Sequence, residues 1–301
     1  MTAAALIVAM ILDAAFGEPE ALWNRLPHPA VLMGRTIDWA DKRFNTGDNK
    51  RQKGVIALGL LILFWGAIAV ALSSLGWIAQ IIGAAILLAQ KSLVDHVAEV
   101  ATGLTQSITR GRRAVSMIVG RDTATLDEPA VARAAIESAA ENFSDGVIAP
   151  AFWFLIGGLP GIVIYKLVNT GDSMIGHRTP RHEQFGWAAA RLDDVLNWIP
   201  ARLSAVLILL THGRPDLWRG LPTEARQHRS PNAGWPESAM ARVLNVALSG
   251  PRAYHGQMQD FPWVHPAGDR TPGPAQINAA CGALWRAWVG MVLLAVVVVI
   301  V

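Results

Sequence analysis

Hydrophobic and polar residues come in long blocks along this chain. The clearest apolar block runs from Gly54 to Gln90; Lys53 and Lys91 bound it, and nothing between them is charged. It divides at Ser73-Ser74-Leu75-Gly76 into two stretches of about 18 residues, each ~27 Å long as a helix, close to the ~30 Å of a bilayer's hydrocarbon core. The pattern predicts a transmembrane hairpin with spans at 54–72 and 73–90. A first span is expected at 2–16 and a last one at 279–301, the latter interrupted only by Arg286. The uncharged run 147–168 carries Gly157-Gly158-Leu159-Pro160-Gly161 at its middle, which a continuous helix tolerates badly. It is expected to be broken or re-entrant, an arrangement found where freed backbone is buried in protein or lines a cavity. Residues 198–211 are predicted to form a partial span.

Polar segments 17–53, 91–145 and 212–278 separate these spans. The first holds Arg25, Arg35, Lys42, Arg43, Lys50, Arg51 and Lys53, an excess over its acids that predicts a cytoplasmic loop. The tight turn at Ser73–Gly76 then faces outward, and 91–145 returns to the cytoplasm. Within that segment Leu93, Val97, Val100, Leu104 and Ile108 form an apolar stripe at helical spacing. Asp127 reads as an N-cap with Pro129 just inside the next helix, and Gly146 as that helix's end. Residues 212–278, rich in Pro, Gly and Trp, read as irregular loops with short helices. The expected fold is all-α: a single polytopic membrane domain with cytoplasmic amphipathic helices.

Composition supports a solvent other than water. Of 301 residues 52% are hydrophobic and only 16% charged, against roughly 25% charged in soluble domains. Mean hydropathy is +0.32. A net charge of +3 is too mild to argue for nucleic acid as a partner. The one cysteine, Cys281, offers neither a disulfide nor a zinc site. No basic residue precedes Arg25, so residues 2–16 read as a retained span, not a cleaved leader.

Candidate chemistry concentrates in two places. Glu137, Glu141 and Asp145 fall at i, i+4 and i+8, on one helix face just before a membrane segment. Like charges so spaced repel, and hard oxygen donors of this kind suit Mg²⁺ together with the phosphates of a nucleotide. Asn142 lies among them. The second cluster runs from Asn169 and Asp172 through His177, Arg178 and Arg181 to Arg191, Asp193, Asp194 and Arg202. Arginine pairs bidentately with carboxylate and phosphate, so this alternation suits an anionic substrate and its metal. Asp193 and Asp194 point to different helix faces and do not form a matched pair. His96, on the helix beginning at Lys91, has the chemistry of a general base. No phosphate loop, dinucleotide fingerprint or nucleophile elbow occurs. From the residues alone three readings stay open. One is a membrane enzyme acting on an anionic substrate; another is a Mg²⁺-dependent prenyl- or phosphotransferase using Asn169-x-x-Asp172; the third is a transporter or sensor built on the broken helix.

An ordered succession of motifs separates these readings. It begins with Leu12-Asp13 and Gly17-Glu18-Pro19, then Leu26-Pro27-His28-Pro29 with Met33-Gly34-Arg35. It continues through Gly120-Arg121-Asp122-Thr123, Leu126-Asp127, Glu137-Ser138, Glu141-Asn142, Asp145-Gly146 and Pro150. Asn169-Thr170, Asp172-Ser173-Met174, Phe185-Gly186-Trp187-Ala188 and Ala190-Arg191-Leu192-Asp193-Asp194 follow, then Pro200-Ala201-Arg202-Leu203 and Ser230-Pro231-Asn232-Ala233-Gly234. Over nearly the whole chain this resembles the adenosylcobinamide-phosphate synthase family, the CobD/CbiB proteins of cobalamin biosynthesis. A related branch that resembles AmpE is a membrane sensor; the complete acidic and arginine-rich motifs favour the synthase branch. The resemblance implies a multi-pass inner-membrane protein that joins (R)-1-aminopropan-2-ol, or its O-phosphate, to the f-side-chain carboxyl of adenosylcobyric acid. Membrane lipid and either further copies of the chain or other membrane proteins of the pathway are the implied partners.

The roles of individual residues are our own expectation. ATP and Mg²⁺ activate the carboxyl, the metal being held by Glu137, Glu141, Asp145 and Asp172. Arg178, Arg191 and Arg202, with Asn142 and Asn169, hold phosphate, and Asp194 or His96 accepts the amine's proton.

Overall fold

The computed structural model describes residues 2–254 and 257–300. Its helices are, in order, α1 (Thr2–Phe16), α2 (Glu20–Trp23), α3 (Pro29–Phe44), α4 (Lys50–Ser73), α5 (Trp77–Leu87), α6 (Gln90–Gln106) and α7 (Ile108–Val115). They continue with α8 (Glu128–Phe143), α9 (Ala149–Ile175), α10 (Trp187–Leu196), α11 (Trp198–Thr211), α12 (Leu221–Ala225), α13 (Gly234–Leu244) and α14 (Pro274–Ile300). Among the described residues strand is limited to β1 (Leu248–Ser249) with β4 (Trp263–Val264), and β2 (Arg252–Tyr254) with β3 (Gln257–Gln259), both pairs antiparallel. Helix accounts for 73% of the chain, so the class is all-α.

Four helical stretches among the described residues are long and apolar enough to cross a membrane: Lys50–Ser73, Trp77–Gln106, Glu128–Ile175 and Pro274–Ile300. α10 and α11 qualify only if taken together, and α1 is apolar but short. Val301, at the end of the expected last span, lies outside the described residues, as do His255 and Gly256 of the expected loop 212–278. Contacts resolve the chain into two compact units where the sequence suggested one domain. The first comprises 1–89, 149–198 and 294–301; the second comprises 90–148 and 199–293.

In the first unit, α4 and α5 form the hairpin, reversing at Gly76, whose φ of +104° suits glycine. α3 starts with Pro29 in its first turn and His28 as N-cap. His28 Nδ1 accepts from the Ala30 amide (3.2 Å) while Nε2 donates to the Ile86 carbonyl (3.0 Å). The ring is therefore a fixed neutral tautomer tying α3 to the end of α5.

The glycine-rich break in α9 is a reversal. Gly158 adopts φ +59°, ψ −149°, outside the helical region. A Cβ at Gly161 would stand 2.2 Å from the Trp153 carbonyl oxygen, although eight residues of straight helix span ~12 Å. The two halves also reach the same short stretch of chain. Trp153 Nε1 donates to the Leu196 carbonyl (3.1 Å), and the Tyr165 hydroxyl donates to Asn197 Oδ1 (2.9 Å). α9 thus folds back as a helical hairpin, the shape a re-entrant segment takes, and its returning half carries Asn169 and Asp172.

The second unit is built on α6, α7, α8 and α13. Leu93, Val97, Val100 and Leu104 of α6 are buried along one stripe, but the stripe stops there. Ser107 takes non-helical angles and caps a new helix by accepting from the Arg110 amide (3.2 Å), so Ile108 belongs to α7. Asp127 caps α8 through the Ala130 amide (2.9 Å). Gly146 does not end a helix: it lies within a π-turn, Ser144–Ile148, that carries α8's backbone bonding on into α9. The four short strands in 248–264 are also unlike the loops expected there. The sequence signal for two- and three-residue strands is too brief to separate from coil.

Candidate functional site

In the first unit, the end of α9, the loop 176–186 and α10 bring acids and arginines together. Asn169 and Asp172 lie one turn apart on α9 and face α10. Asp193, buried at 8% exposure, accepts from Asn169 Nδ2 (3.2 Å) on one oxygen and from Asn197 Nδ2 (3.0 Å) on the other. Tyr165, hydrogen-bonded to Asn197, completes a buried row that holds this carboxyl group still. Asp172 stands within electrostatic reach of His177, Asp193 and Asp194. Asp194, on the open side of α10, pairs with Arg191 (3.3 Å) and lies near Arg178. The loop approaches the acids closely, since a Cβ at Gly176 would fall 2.0 Å from Asp172 Oδ1.

That loop is strapped to α3. Arg181 donates to Asp41 Oδ2 through Nε (3.0 Å) and Nη2 (2.6 Å), and His182 Nε2 lies 3.4 Å from the same oxygen. Asn45 Nδ2 reaches both Asp41 Oδ1 (2.8 Å) and the Arg181 carbonyl (2.9 Å). Burial alone would raise the pKa of Asp41. The hydrogen bonds from Arg181, Asn45 and His182 outweigh it and hold the carboxyl below its usual range. The strap positions His177 and Arg178.

The second unit holds the other predicted residues, in unlike environments. Glu137 is buried and committed: Oε2 accepts from Arg121 Nη2 (2.7 Å) and Oε1 from the Ser249 amide (2.7 Å). Glu137, expected to hold metal, thus already accepts from one protein donor on each oxygen. Glu141 is exposed and Asp145 half-buried, so the three acids share a helix face but not a setting. Asn142 turns its amide nitrogen onto Ser138, its carbonyl (2.9 Å) and its hydroxyl (3.1 Å). His96 lies on an exposed face of α6 with Nδ1 donating to the Ser92 carbonyl (2.6 Å), leaving Nε2 as its proton acceptor. Arg202 lies over the Trp235 ring at 4.5 Å and donates to Asn232 Oδ1 (3.0 Å). Among the described residues no three His, Cys, Asp or Glu side chains converge as a metal-binding set.

Within the first unit, then, Asn169, Asp172, Arg178, Arg191 and Asp194 gather at one end of the α9 hairpin. Glu137, Glu141, Asn142, Asp145, His96 and Arg202 belong to the second unit. Sequence reasoning missed Tyr165 and Asn197 as supports of Asp193, and Arg121 as the partner of Glu137. Arg121 stands within the quoted Gly-Arg-Asp-Thr motif, which marks the residue without revealing its partner.

The fold and these side chains define an all-α polytopic membrane protein with a helical hairpin and an acid–arginine site. The profile of the family described as CobD/Cbib protein matches residues 6–284. The chain is 46% identical over 303 residues to the cobalamin biosynthesis protein CobD of Rhizobium meliloti (strain 1021), covering 94% of this chain and 92% of that protein. It is 47% identical over 299 residues to the CobD of Brucella suis biovar 1 (strain 1330), with 93% and 91% covered. The CobD of Rhodobacter capsulatus is 46% identical over 300 residues, with 97% and 95% covered. No solved structure matches. The chain belongs to the CobD/CbiB family.

Proposed function

We propose that this chain is an acid–amine ligase of cobalamin biosynthesis, an adenosylcobinamide-phosphate synthase. It joins (R)-1-aminopropan-2-ol or its O-phosphate to the f-side-chain carboxyl of adenosylcobyric acid, working from the cytoplasmic face of a prokaryotic inner membrane. Its relatives' shared name supports the pathway. The observation that carries the chemistry is the juxtaposition of Asp172, Asp194, Arg178 and Arg191 at the end of the α9 hairpin.

A carboxylate is a poor electrophile, so in this proposal its oxygen first attacks the γ-phosphorus of ATP, the β–γ P–O bond breaks and ADP leaves, giving an acyl phosphate. The donors fit a metal carried on phosphate. Asp172 supplies hard oxygens, and Mg²⁺ is commonly held through one or two carboxylates plus phosphate oxygens. When bound, the metal neutralises phosphate charge. Glu137, Glu141 and Asp145, in the second unit, are proposed separately as oxygen donors to Mg²⁺. Arg178 and Arg191 bind phosphate oxygens, where planar guanidinium groups outperform point charges, and Arg202 of the second unit is proposed separately for phosphate. Asn169 keeps Asp193 in place, and Asp193, itself immobile, orients Asn169 and Asn197 in return.

The amine nitrogen attacks the acyl carbon. The C–N bond forms as the C–O bond to phosphate breaks, phosphate leaves, and the nitrogen's proton passes to Asp194 Oδ; His96 Nε2, in the second unit, is proposed separately as an acceptor. Membranes supplied with adenosylcobyric acid, ATP, Mg²⁺ and aminopropanol phosphate test this directly. Asp194→Asn is expected to slow product formation by about 10²–10⁴-fold, and Glu141→Gln to raise the Mg²⁺ requirement. Full activity in the Asp194 variant would remove its role; no product from wild-type membranes would remove the reaction.

A further inference from the structure

We propose that the first unit contains a binding site for one acyl chain of a membrane phospholipid. A cavity of about 360 Å³ lies among α3, α4, α5 and the returning half of α9, lined by Met33, Trp65, Ala69, Ile86, Leu159 and Val163 among others. Every lining side chain is apolar except the indole of Trp65, whose Nε1 already donates to Thr36 Oγ1 (3.1 Å). A corrinoid, edged with amides and carboxylates, would leave those groups without partners here, so the lining rejects it. A hydrocarbon chain asks for nothing the cavity lacks. At the ~30 Å³ that one water molecule takes up, a fair size for a methylene, the space holds roughly a dozen carbons of a chain.

The mouth identifies the source. Leu72 and Ile82 line the cavity and are also 44% and 51% exposed. They are continuous with the outward faces of α4 and α5, where Leu63, Phe64, Val70 and Ile78 are exposed too. In stretches long enough to cross a bilayer that surface is bathed by lipid tails, so the cavity opens sideways into hydrocarbon. Its inner wall is different: Met33, Leu159 and Val163 are 1%, 2% and 7% exposed. A seated chain would press on Leu159, immediately after the Gly158 reversal, and so buttress the hairpin whose returning half carries Asn169 and Asp172. This inference does not depend on the proposed reaction.

Photolabelling tests it without any activity measurement. The full chain is reconstituted in vesicles of phosphatidylethanolamine and phosphatidylglycerol doped with a phospholipid bearing a diazirine along its acyl chain, illuminated, digested and mapped by mass spectrometry. Label is expected on Met33, Leu159 and Val163 as well as on outward Leu63 and Phe64. Ala79→Trp at the half-exposed mouth, and Ala69→Phe deeper in, should abolish the inner label and leave the outer label intact. Label confined to outward residues would overturn the proposal, as would inner label indifferent to both fillings. Displacement of the inner label by adenosylcobyric acid, or its replacement by cross-links to a second copy of the chain, would assign the cavity to another occupant and overturn it equally. The wild-type map decides the matter even if the Ala69 variant fails to fold.

Discussion

The two roles of Glu137, buried brace and proposed metal ligand, can be tested sharply against each other, because they make opposite demands. The Arg121 and Glu137 side chains are 10% and 11% exposed and meet at 2.7 Å. The second carboxylate oxygen serves the Ser249 amide. Glu137→Ala strands a buried guanidinium and a buried N–H, and removing one partner of such a pair costs about 3–5 kcal/mol. At roughly 2 °C per kcal/mol for a chain of this size, the melting temperature should fall by about 6–10 °C. The assay is thermal unfolding in detergent at one fixed scan rate, since membrane-protein melting is commonly irreversible. Replacing both partners by methionine should recover much of the loss, because a well-packed apolar pair removes the stranded charge. The Ser249 amide then loses its Glu137 acceptor, at about 1–3 kcal/mol. If Glu137→Ala melts with the wild type while the Mg²⁺ dependence of product formation changes, the carboxylate is a metal ligand and the reasoning fails.

Two further outcomes follow from the fold. Gly161→Ala places a methyl carbon where only 2.2 Å separates it from the Trp153 carbonyl oxygen; backbone cannot yield as a side-chain tip does, so a loss of about 1–3 kcal/mol or more is expected in the melting assay. Wild-type stability in that variant would mean the two halves of α9 do not fold back on each other. Asp41 titrates below its usual range in the folded protein. Its contribution is therefore complete above the unfolded value near 3.9 and fades as pH falls through the folded one. Melting temperature followed from neutral pH down to about pH 3 should drop less steeply in Asp41→Asn than in the wild type; identical acid slopes would refute the strap.

Much of the local structure was legible because it depends on near neighbours. The cap at Asp127, the reversal at Gly76 and the interruption at Gly157–Gly161 all follow from what proline, glycine and short polar side chains do to adjacent backbone. The opposed settings of Asp193 and Asp194 follow from helical periodicity alone. Where the reading went astray, the deciding interaction was distant or subtle. Ile108 continues the apolar stripe in spacing, yet Ser107 starts a new helix. Gly146 resembles a helix end, yet a π-turn carries the bonding through. Glu137 resembles its neighbours Glu141 and Asp145 until Arg121 and Ser249, 16 and 112 residues away, claim it.

By itself the sequence determined which stretches leave water, since uncharged length against bilayer thickness is a one-dimensional quantity, and it carried the family in the order of its motifs. It also set which carboxylates and guanidinium groups were available. Which of them are spent holding the protein together, and which face outward together, only the tertiary structure decided. A buried charge must find a partner, and the partner is chosen by whatever the fold brings within about 3 Å; no spacing rule along the chain encodes that.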